Sequence, residues 1–308
     1  MQMINYSVII PQRDCVDLTK RCLLSIPDRK DVEIIVVDDN SKNPEELKKA
    51  QYELLKNNVQ FIYTTEGLGA GYARNVGVSH AKGKWLVFAD ADDFFEKDAF
   101  AIFDKYVNDN FDIIYFPHTS VYSETLEPCS RFNSRNDRLI DYMHEPSTST
   151  EERLKYGDVV PWGKIFRRSI VKQHKIKFDE VPASNDVMFV VQAAYHAKNI
   201  YVSQQPIYVL TYRKGSITRV LNKTNEYSRF RVSLRFNNFL REKGLKHLYG
   251  RNLTRVILIW RNLGFKDALI LTKEVYDSGQ TLFTGFSFTF KDLIKKIKFL
   301  MAKDSYRA

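Results

Sequence analysis

Cysteine is scarce in this chain of 308 residues: Cys15, Cys22 and Cys129 are all it has. Three thiols build no disulfide framework, and without a C-x-x-C pair there is no zinc-site spacing either. Long apolar runs are also lacking. The longest, Leu253 to Leu271, is broken by Arg255, Arg261, Lys266 and Asp267, whereas a bilayer-spanning helix needs about 20 mostly apolar residues. No signal-peptide pattern precedes the strand-like Tyr6-Ser7-Val8-Ile9-Ile10, so the cytoplasm is the expected compartment. Two familiar nucleotide-binding loops are missing too. Gly67-Leu68-Gly69-Ala70-Gly71 invites a dinucleotide reading, but G-x-G-x-x-G needs glycine where Tyr72 stands, and the loop follows the third strand rather than the first. No G-K-[ST] is present for a P-loop.

Acidic residues run short in only one region. From Arg229 onward 17 Lys and Arg face 6 Asp and Glu, while the first 228 residues hold 30 basic and 31 acidic residues. The net charge of +10 therefore belongs to the C-terminal part. At 44% hydrophobic residues the composition is that of a globular protein and excludes wholesale disorder.

The first hundred residues alternate strand and helix patterns. Tyr6–Ile10, Glu33–Val37, Phe61–Tyr63 and Trp85–Ala89 read as strands, and the β-branched run at 33–37 suits a strand buried on both faces. Between them Asp17–Ile26, Pro44–Lys56 (capped by Ser41 or Asn43) and Gly71–Ala81 read as helices. Such alternation predicts βαβ units and a mainly parallel sheet flanked by helices. Ligands of such sheets bind beyond the carboxyl ends of the strands. Here those ends are Pro11-Gln12-Arg13-Asp14, Asp38-Asp39-Asn40-Ser41, Thr64-Thr65-Glu66-Gly67 and Asp90-Ala91-Asp92-Asp93. Further on, Lys97–Tyr106 reads as a helix capped by Asp93, 119–160 as long loops with short elements, Asn185–Lys198 as an amphipathic helix and Tyr201–Tyr212 as strand-like. A helical, basic region then runs to the end.

Asp90 and Asp92, two apart in extended chain, point to the same side and can approach one cation. Oxygen ligands at this spacing suit Mg²⁺ or Mn²⁺, which bind substrate phosphates. The alternative is a turn-forming strand end. Asp38-Asp39 could accept a hydrogen bond from a base imide or a ribose hydroxyl, or simply cap the following helix. Gly69 opens a helix N-terminus suited to anions, with Arg74 one turn inside, facing either a phosphate or the acidic strand ends.

Taken in order, Ser7-Val8-Ile9-Ile10-Pro11, Val36-Val37-Asp38-Asp39-Asn40-Ser41, Gly69-x-Gly71-x-x-Arg74-Asn75-x-Gly77 and Gly83-Lys84-Trp85-Leu86-Val87-Phe88-Ala89-Asp90-Ala91-Asp92-Asp93 resemble the family 2 glycosyltransferases. The resemblance is strong over residues 5–115, weaker to about 220, and covers nothing after that. It implies a GT-A fold, a nucleotide-sugar donor (most often UDP-linked) and an inverting displacement. By position it implies Asp39 at the base, Asp92 on the metal, Asp90 on the ribose or metal side, and Arg74 close to the nucleotide. Pro11, Arg13, Asp38, Gly69 and Ala91 would complete the donor side. The resemblance also aligns Asp186, in Ser184-Asn185-Asp186-Val187, with the base that takes the acceptor proton. Two departures stand out. Asn185 replaces the usual acid beside that base, and Gln12-Arg13-Asp14 replaces the usual aromatic and Asn after the first strand. Trp162, in Pro161-Trp162-Gly163-Lys164, is read either as a wall for the acceptor sugar or as a core anchor. Arg213, in Tyr212-Arg213-Lys214-Gly215-Ser216, belongs to a late element expected near the diphosphate.

The expected organisation is a GT-A catalytic domain over 1–220, with 1–115 as the nucleotide-sugar half and 116–220 as the acceptor side, followed by a helical basic region over 221–308. The basic amphipathic stretches Val256–Trp260, Phe265–Leu271 and Leu293–Met301 suit peripheral contact with an anionic membrane through 253–308, at the inner face of the cell membrane. That contact would bring the chain to a lipid-linked acceptor, the other acceptor class being a glycan. A solvated face or an oligomer contact is the plainer alternative. No nucleic-acid-binding module accompanies the charge, so no nucleic acid is expected. The expected activity is sugar transfer in surface polysaccharide synthesis. Nucleotidyl transfer lacks its basic glycine-rich loop after the first strand, and the non-enzymatic alternative is a nucleotide-binding or scaffolding protein that keeps the fold.

Overall fold

Runs of β-branched residues seed the sheet, and helices close both of its faces. The computed structural model describes residues 3–54, 56–213 and 222–285. In chain order the first elements are β1 (Tyr6–Gln12), α1 (Val16–Leu24), β2 (Val32–Asp39), α2 (Pro44–Leu54), β3 (Val59–Thr64), α3 (Ala70–His80) and β4 (Trp85–Phe88). They continue with β5 (Phe94–Phe95), α4 (Ala99–Asp104), β6 (Ile113–Tyr115), β7 (His118–Tyr122), α5 (Asn133–His144) and α6 (Thr148–Gly157). Then come β8 (Lys164–Arg167), α7 (Arg168–Gln173), α8 (Val187–His196), β9 (Ile200–Val202) and β10 (Tyr208–Tyr212). Last are α9 (Lys223–Glu242), a 3-10 turn at Lys246–Leu248, α10 (Asn252–Leu263) and α11 (Phe265–Asp277).

The main sheet has the order β3-β2-β1-β4-β8-β6-β9. Strands β3, β2, β1 and β4 are all parallel, and β8 runs antiparallel to both neighbours. Side chains alternate across the sheet as a pleated strand requires. Val8 and Ile10 pack with Cys22 and Leu23 of α1 and Phe100 and Phe103 of α4. Ile9 lies in the opposite core with Ala73 of α3 and Phe189 and Val190 of α8. Because four strands run the same way, their carboxyl ends emerge on one edge, and the acidic strand ends gather there. A second sheet, β5-β10-β7, brings the end of β10 to the loop after β4.

The chain divides into two compact units. One holds the described residues up to 181 together with 185–213; the other holds 182–184 and 222–285. The expected boundary at 220 falls within 214–221, outside the described residues, as does the stretch Leu293–Met301. The second unit has its own small core, in which Phe230 and Leu234 of α9 meet Val256 and Ile259 of α10 and Leu271 and Val275 of α11. No helix among the described residues is long and apolar enough to cross a membrane.

Three local expectations are corrected. Residues 119–160 carry two full helices, α5 and α6, rather than long loops. The start of α6 is a reciprocal cap in which the Thr150 amide donates to Ser147 Oγ and the Ser147 amide to Thr150 Oγ1. Tyr201–Tyr212 is two strands in different sheets, separated at 203–207. Asp93 does not cap α4, which begins later, after Asp98.

The new helices bring a buried charge cluster with them. Arg135 of α5 donates through Nε to Asp158 Oδ1 (3.1 Å) and through Nη1 and Nη2 to the carbonyls of Phe116 and Gly163. Lys164 Nζ, fully buried, lies 3.0 Å from Asp158 Oδ2 and donates to the Asp158 and Val160 carbonyls. Burial pushes the Lys164 ammonium down to about 7 despite the pull of Asp158. Gly163 makes room for this cluster: its φ is +66°, and a Cβ there would stand 2.7 Å from Arg135 Nη2. Removing Arg135 would strip Asp158 of one of its two cations and leave the buried carbonyls of Phe116 and Gly163 without their donor. Arg135→Leu is therefore expected to lower unfolding stability in urea by about 3–5 kcal/mol; a loss below about 1 kcal/mol, typical of a surface pair, would contradict a structural role for the cluster.

Candidate active site

The end of β2 presents two carboxylates with different surroundings. Asp38 is spent inside the fold: it accepts from Gln12 Nε2 and Ser41 Oγ at Oδ1 and from the Ser41 amide at Oδ2. Ser41 Oγ in turn accepts from the Asp14 amide, so it ties the ends of β1 and β2 together and does not cap α2. Asp38 thus braces the strand ends, with both of its carboxylate oxygens taken by donors of the protein. Asp39 is different. Its Oδ2 accepts from the Gly69 amide (2.9 Å) and lies 3.6 Å from Arg13 Nη1, while the buried Oδ1 has no hydrogen-bond partner. Burial raises the Asp39 carboxyl, with the Gly69 amide and Arg13 pulling the other way. Gly69 reaches this position with φ +95°, a backbone that favours glycine.

One turn into α3 stands Arg74, only 6% exposed. Its Nη2 meets Asp90 Oδ1 at 2.5 Å and its Nη1 donates to Asn185 Oδ1 at 2.9 Å. Its face lies over the Phe178 ring, with Cζ 5.4 Å from the centroid. One guanidinium therefore joins the end of β4 to the residue before the candidate base. Asn185, the departure from the usual acid, accepts from Arg74 as a neutral amide. Asp186 follows at the start of α8, where its carbonyl accepts the Val190 amide. Burial lifts its carboxyl above the ordinary range; Arg74 opposes the shift and Asp90 adds to it. Asp179 sits directly on α3, since a Cβ at Gly71 would come 2.0 Å from its carbonyl oxygen.

After β4 the chain turns through Asp90-Ala91-Asp92-Asp93, closed by the Asp93 amide on the Asp90 carbonyl. Arg21 Nη2 and Thr211 Oγ1 both donate to the Asp92 carbonyl, at 2.7 and 2.8 Å. Asp93 is buried and accepts from Tyr208 Oη (2.9 Å) and the Thr211 amide (2.7 Å), and Tyr208 Oη accepts the Asp90 amide. These contacts leave the Asp92 side chain aimed away from the core, with Arg213 Nη2 at 4.0 Å. Burial and the neighbouring Asp90 charge raise its carboxyl, which Arg213 offsets only in part. Two hard oxygen donors carrying mutually repelling charge fit a divalent cation. Among the described residues no group of three or more His, Cys, Asp or Glu converges on one point, so a cation here would rely on Asp90, Asp92, water and donor oxygens.

The structure thus brings together Asp39, Gly69, Arg74, Asp90, Asp92, Asp186 and Arg213, with Arg13 at the rim. Pro11 lies within β1 and Ala91 in the turn after β4, and both are buried. Trp162 is corrected from acceptor wall to core anchor. It is 4% exposed, stacked on Tyr208 at 5.5 Å and crossed by the rings of His118 and Phe132. Its stacking on Tyr208 supports the turn that carries Asp90. Sequence patterns gave no sign of Arg21, Thr211 or Tyr208, whose partners are 71 or more positions away.

Known proteins share the chain's sequence pattern and its fold. The family model described as glycosyl transferase family 2 matches residues 7–175, more than half of the chain. Among curated relatives, the candidate glycosyltransferase EpsH of Bacillus subtilis is 24% identical over 247 residues, covering 78% of this chain and 70% of EpsH. A poly(ribitol-phosphate) beta-glucosyltransferase of Bacillus spizizenii is 29% identical over 216 residues, 68% of this chain; the match spans only 32% of that longer protein. Among solved structures, residues 1–349 of Staphylococcus aureus TarS in complex with UDP-GlcNAc superpose with a TM-score of 0.67 at 22% identity, over 89% of this chain and 78% of that one. The fold is that of the GT-A glycosyltransferases, and the chain belongs to glycosyl transferase family 2.

Proposed function

We propose that the chain is an inverting transferase that moves a sugar from a nucleotide-diphosphate donor, UDP-linked by preference, to a hydroxyl of a glycan or lipid-linked acceptor in surface polysaccharide synthesis. The observation that carries this reading is the Arg74 bridge, which holds the Asp90 side of the site next to Asn185 and the raised carboxyl of Asp186. Peripheral contact with an anionic membrane through 253–308, on the inner face of the cell membrane, belongs to the same reading.

Each residue then has a physical task. Asp39 Oδ1, buried without a partner, accepts the imide N–H of the donor base, and Arg13 covers the base edge. Asp90 and Asp92 face the diphosphate, with Arg213 beside them. Mn²⁺ or Mg²⁺ held there would neutralise charge building on the departing diphosphate. Asp186 accepts the proton of the acceptor hydroxyl as its oxygen bonds to the anomeric carbon and the bond to the diphosphate oxygen breaks. A carboxyl held above the ordinary range is a better proton acceptor near neutral pH than an exposed aspartate.

Two measurements test these roles. The base must be deprotonated, so kcat/KM rises with pH along an acidic limb set above the range of an exposed aspartate. Asp186→Asn is expected to lose that limb and about 10²–10⁴ in kcat while still binding UDP; a variant with near-normal turnover would remove Asp186 from the chemistry. Calorimetric titration with UDP, GDP and CDP, with and without Mn²⁺, is expected to show metal-dependent binding of UDP in preference to the others. Asp92→Ala is expected to abolish the metal dependence. Binding of none of the three, with or without metal, would contradict the donor site.

A further inference from the structure

Helix α11 wears its apolar side outward. Its inner side is already satisfied, because Ala268, Leu271 and Val275 pack with α9 and α10. Yet Phe265, Leu269 and Tyr276 recur at spacings of four and seven along the outer side, which makes one continuous stripe on a helix. Ile270 flanks that stripe, and Trp260 at the end of α10 meets Phe265 with ring centroids 6.1 Å apart. These five side chains are 42–60% exposed. Single exposed apolar residues need no explanation, but a contiguous aromatic and aliphatic group marks an interaction surface.

The charges around the stripe select the partner. Lys266 and Lys273 are exposed and run alongside it. The acids of α11 are mostly withdrawn: Asp267 is bound by Lys223 and Tyr227 Oη, and Glu274 is gripped by both Nε and Nη2 of Arg231. Asp277, at the helix end, is the exposed exception. Apolar anchors rimmed by cations, with Trp and Tyr among them, match the chemistry of an anionic lipid surface, where such side chains sit at the headgroup boundary. A protein partner of unspecified charge would not call for this combination.

We propose that the outer face of α11, with Trp260, docks on an anionic lipid bilayer and so brings the chain to its acceptor. The proposal rests on the reading of the protein as a sugar transferase with a membrane-associated acceptor. The three tryptophans make it directly measurable. Trp85 and Trp162 are buried, so a blue shift of emission on adding vesicles reports Trp260. The full chain is expected to show that shift, and to sediment with phosphatidylcholine vesicles containing about one-third phosphatidylglycerol, but not with phosphatidylcholine alone. Phe265→Ser with Leu269→Ser is expected to abolish both signals. Lys266→Glu with Lys273→Glu is expected to weaken binding by at least about fivefold for each lysine lost.

Circular dichroism of each variant checks that α11 remains folded, and UDP calorimetry checks the catalytic unit separately. Normal UDP binding with no vesicle binding would overturn this proposal alone and leave the transferase reading standing. Vesicle binding undiminished in the Phe265→Ser, Leu269→Ser variant would assign the contact to another segment and overturn it too. So would light scattering that finds a dimer of the free chain dissolved by those substitutions, since the stripe would then be covered by a second copy.

Discussion

A single buried guanidinium organises the candidate site. Arg74 is nearly sealed from water, yet its two terminal nitrogens meet different segments: Asp90 after β4 and Asn185 before α8. Charge buried this deeply is tolerated only when paired and hydrogen-bonded. The contact therefore constrains both segments at once. It also explains how an asparagine can stand where the family usually has an acid. A second carboxylate at 185 would add another negative charge close to Asp90 and Asp186, whereas the amide oxygen of Asn185 accepts from Arg74 without titrating. Glycine at 71 completes the arrangement by letting α3 approach Asp179 to backbone distance.

Around that pivot, aspartates of identical chemistry are separated into two classes by their partners. Asp38, Asp93 and Asp158 are buried and occupied by neighbouring donors or cations, and they hold strand ends, the turn after β4 and the α5–α6 region in place. Asp39 Oδ1 has no hydrogen-bond partner, Asp92 meets Arg213 only at 4.0 Å and Asp186 makes no side-chain cap; burial raises these three carboxyls, as it does that of Asp93. Carboxylates of that second kind are the ones with capacity left for a base imide, a cation and a proton. The bracing class makes the reactive class possible. Without Tyr208 and Thr211 on Asp93, and Arg21 on the Asp92 carbonyl, the turn that presents Asp90 and Asp92 would have no fixed direction.

Much of this was legible in the sequence because it depends on local pattern. The strands β1 to β4 announce themselves as apolar runs that end in polar clusters, and a parallel sheet sends those clusters to one edge. Asp39, Arg74, Asp90, Asp92 and Asp186 stand out that way or by family position. What escaped notice depends on distant partners. Helices α5 and α6 are polar, and the Thr150 half of their reciprocal cap departs from the usual Glu or Gln. The cluster of Arg135, Asp158 and Lys164 looks in sequence like three unrelated surface charges; only the fold reveals that they share a dry interior. Trp162 admitted two readings until its stack on Tyr208 was seen. The outward stripe of α11 was equally hidden, since periodicity tells which residues share a face but not which face is covered.

The central claim is that Asp186 drives a direct displacement at the anomeric carbon. It is tested most directly by following hydrolysis of a UDP-α-sugar donor with proton magnetic resonance, with water taking the place of the acceptor. The anomeric signal of the first-released sugar, read before mutarotation, reports the stereochemistry without requiring the acceptor to be known. A single displacement releases the β-anomer first. Release of the α-anomer would mean retention, and with it a different mechanism and a different task for Asp186.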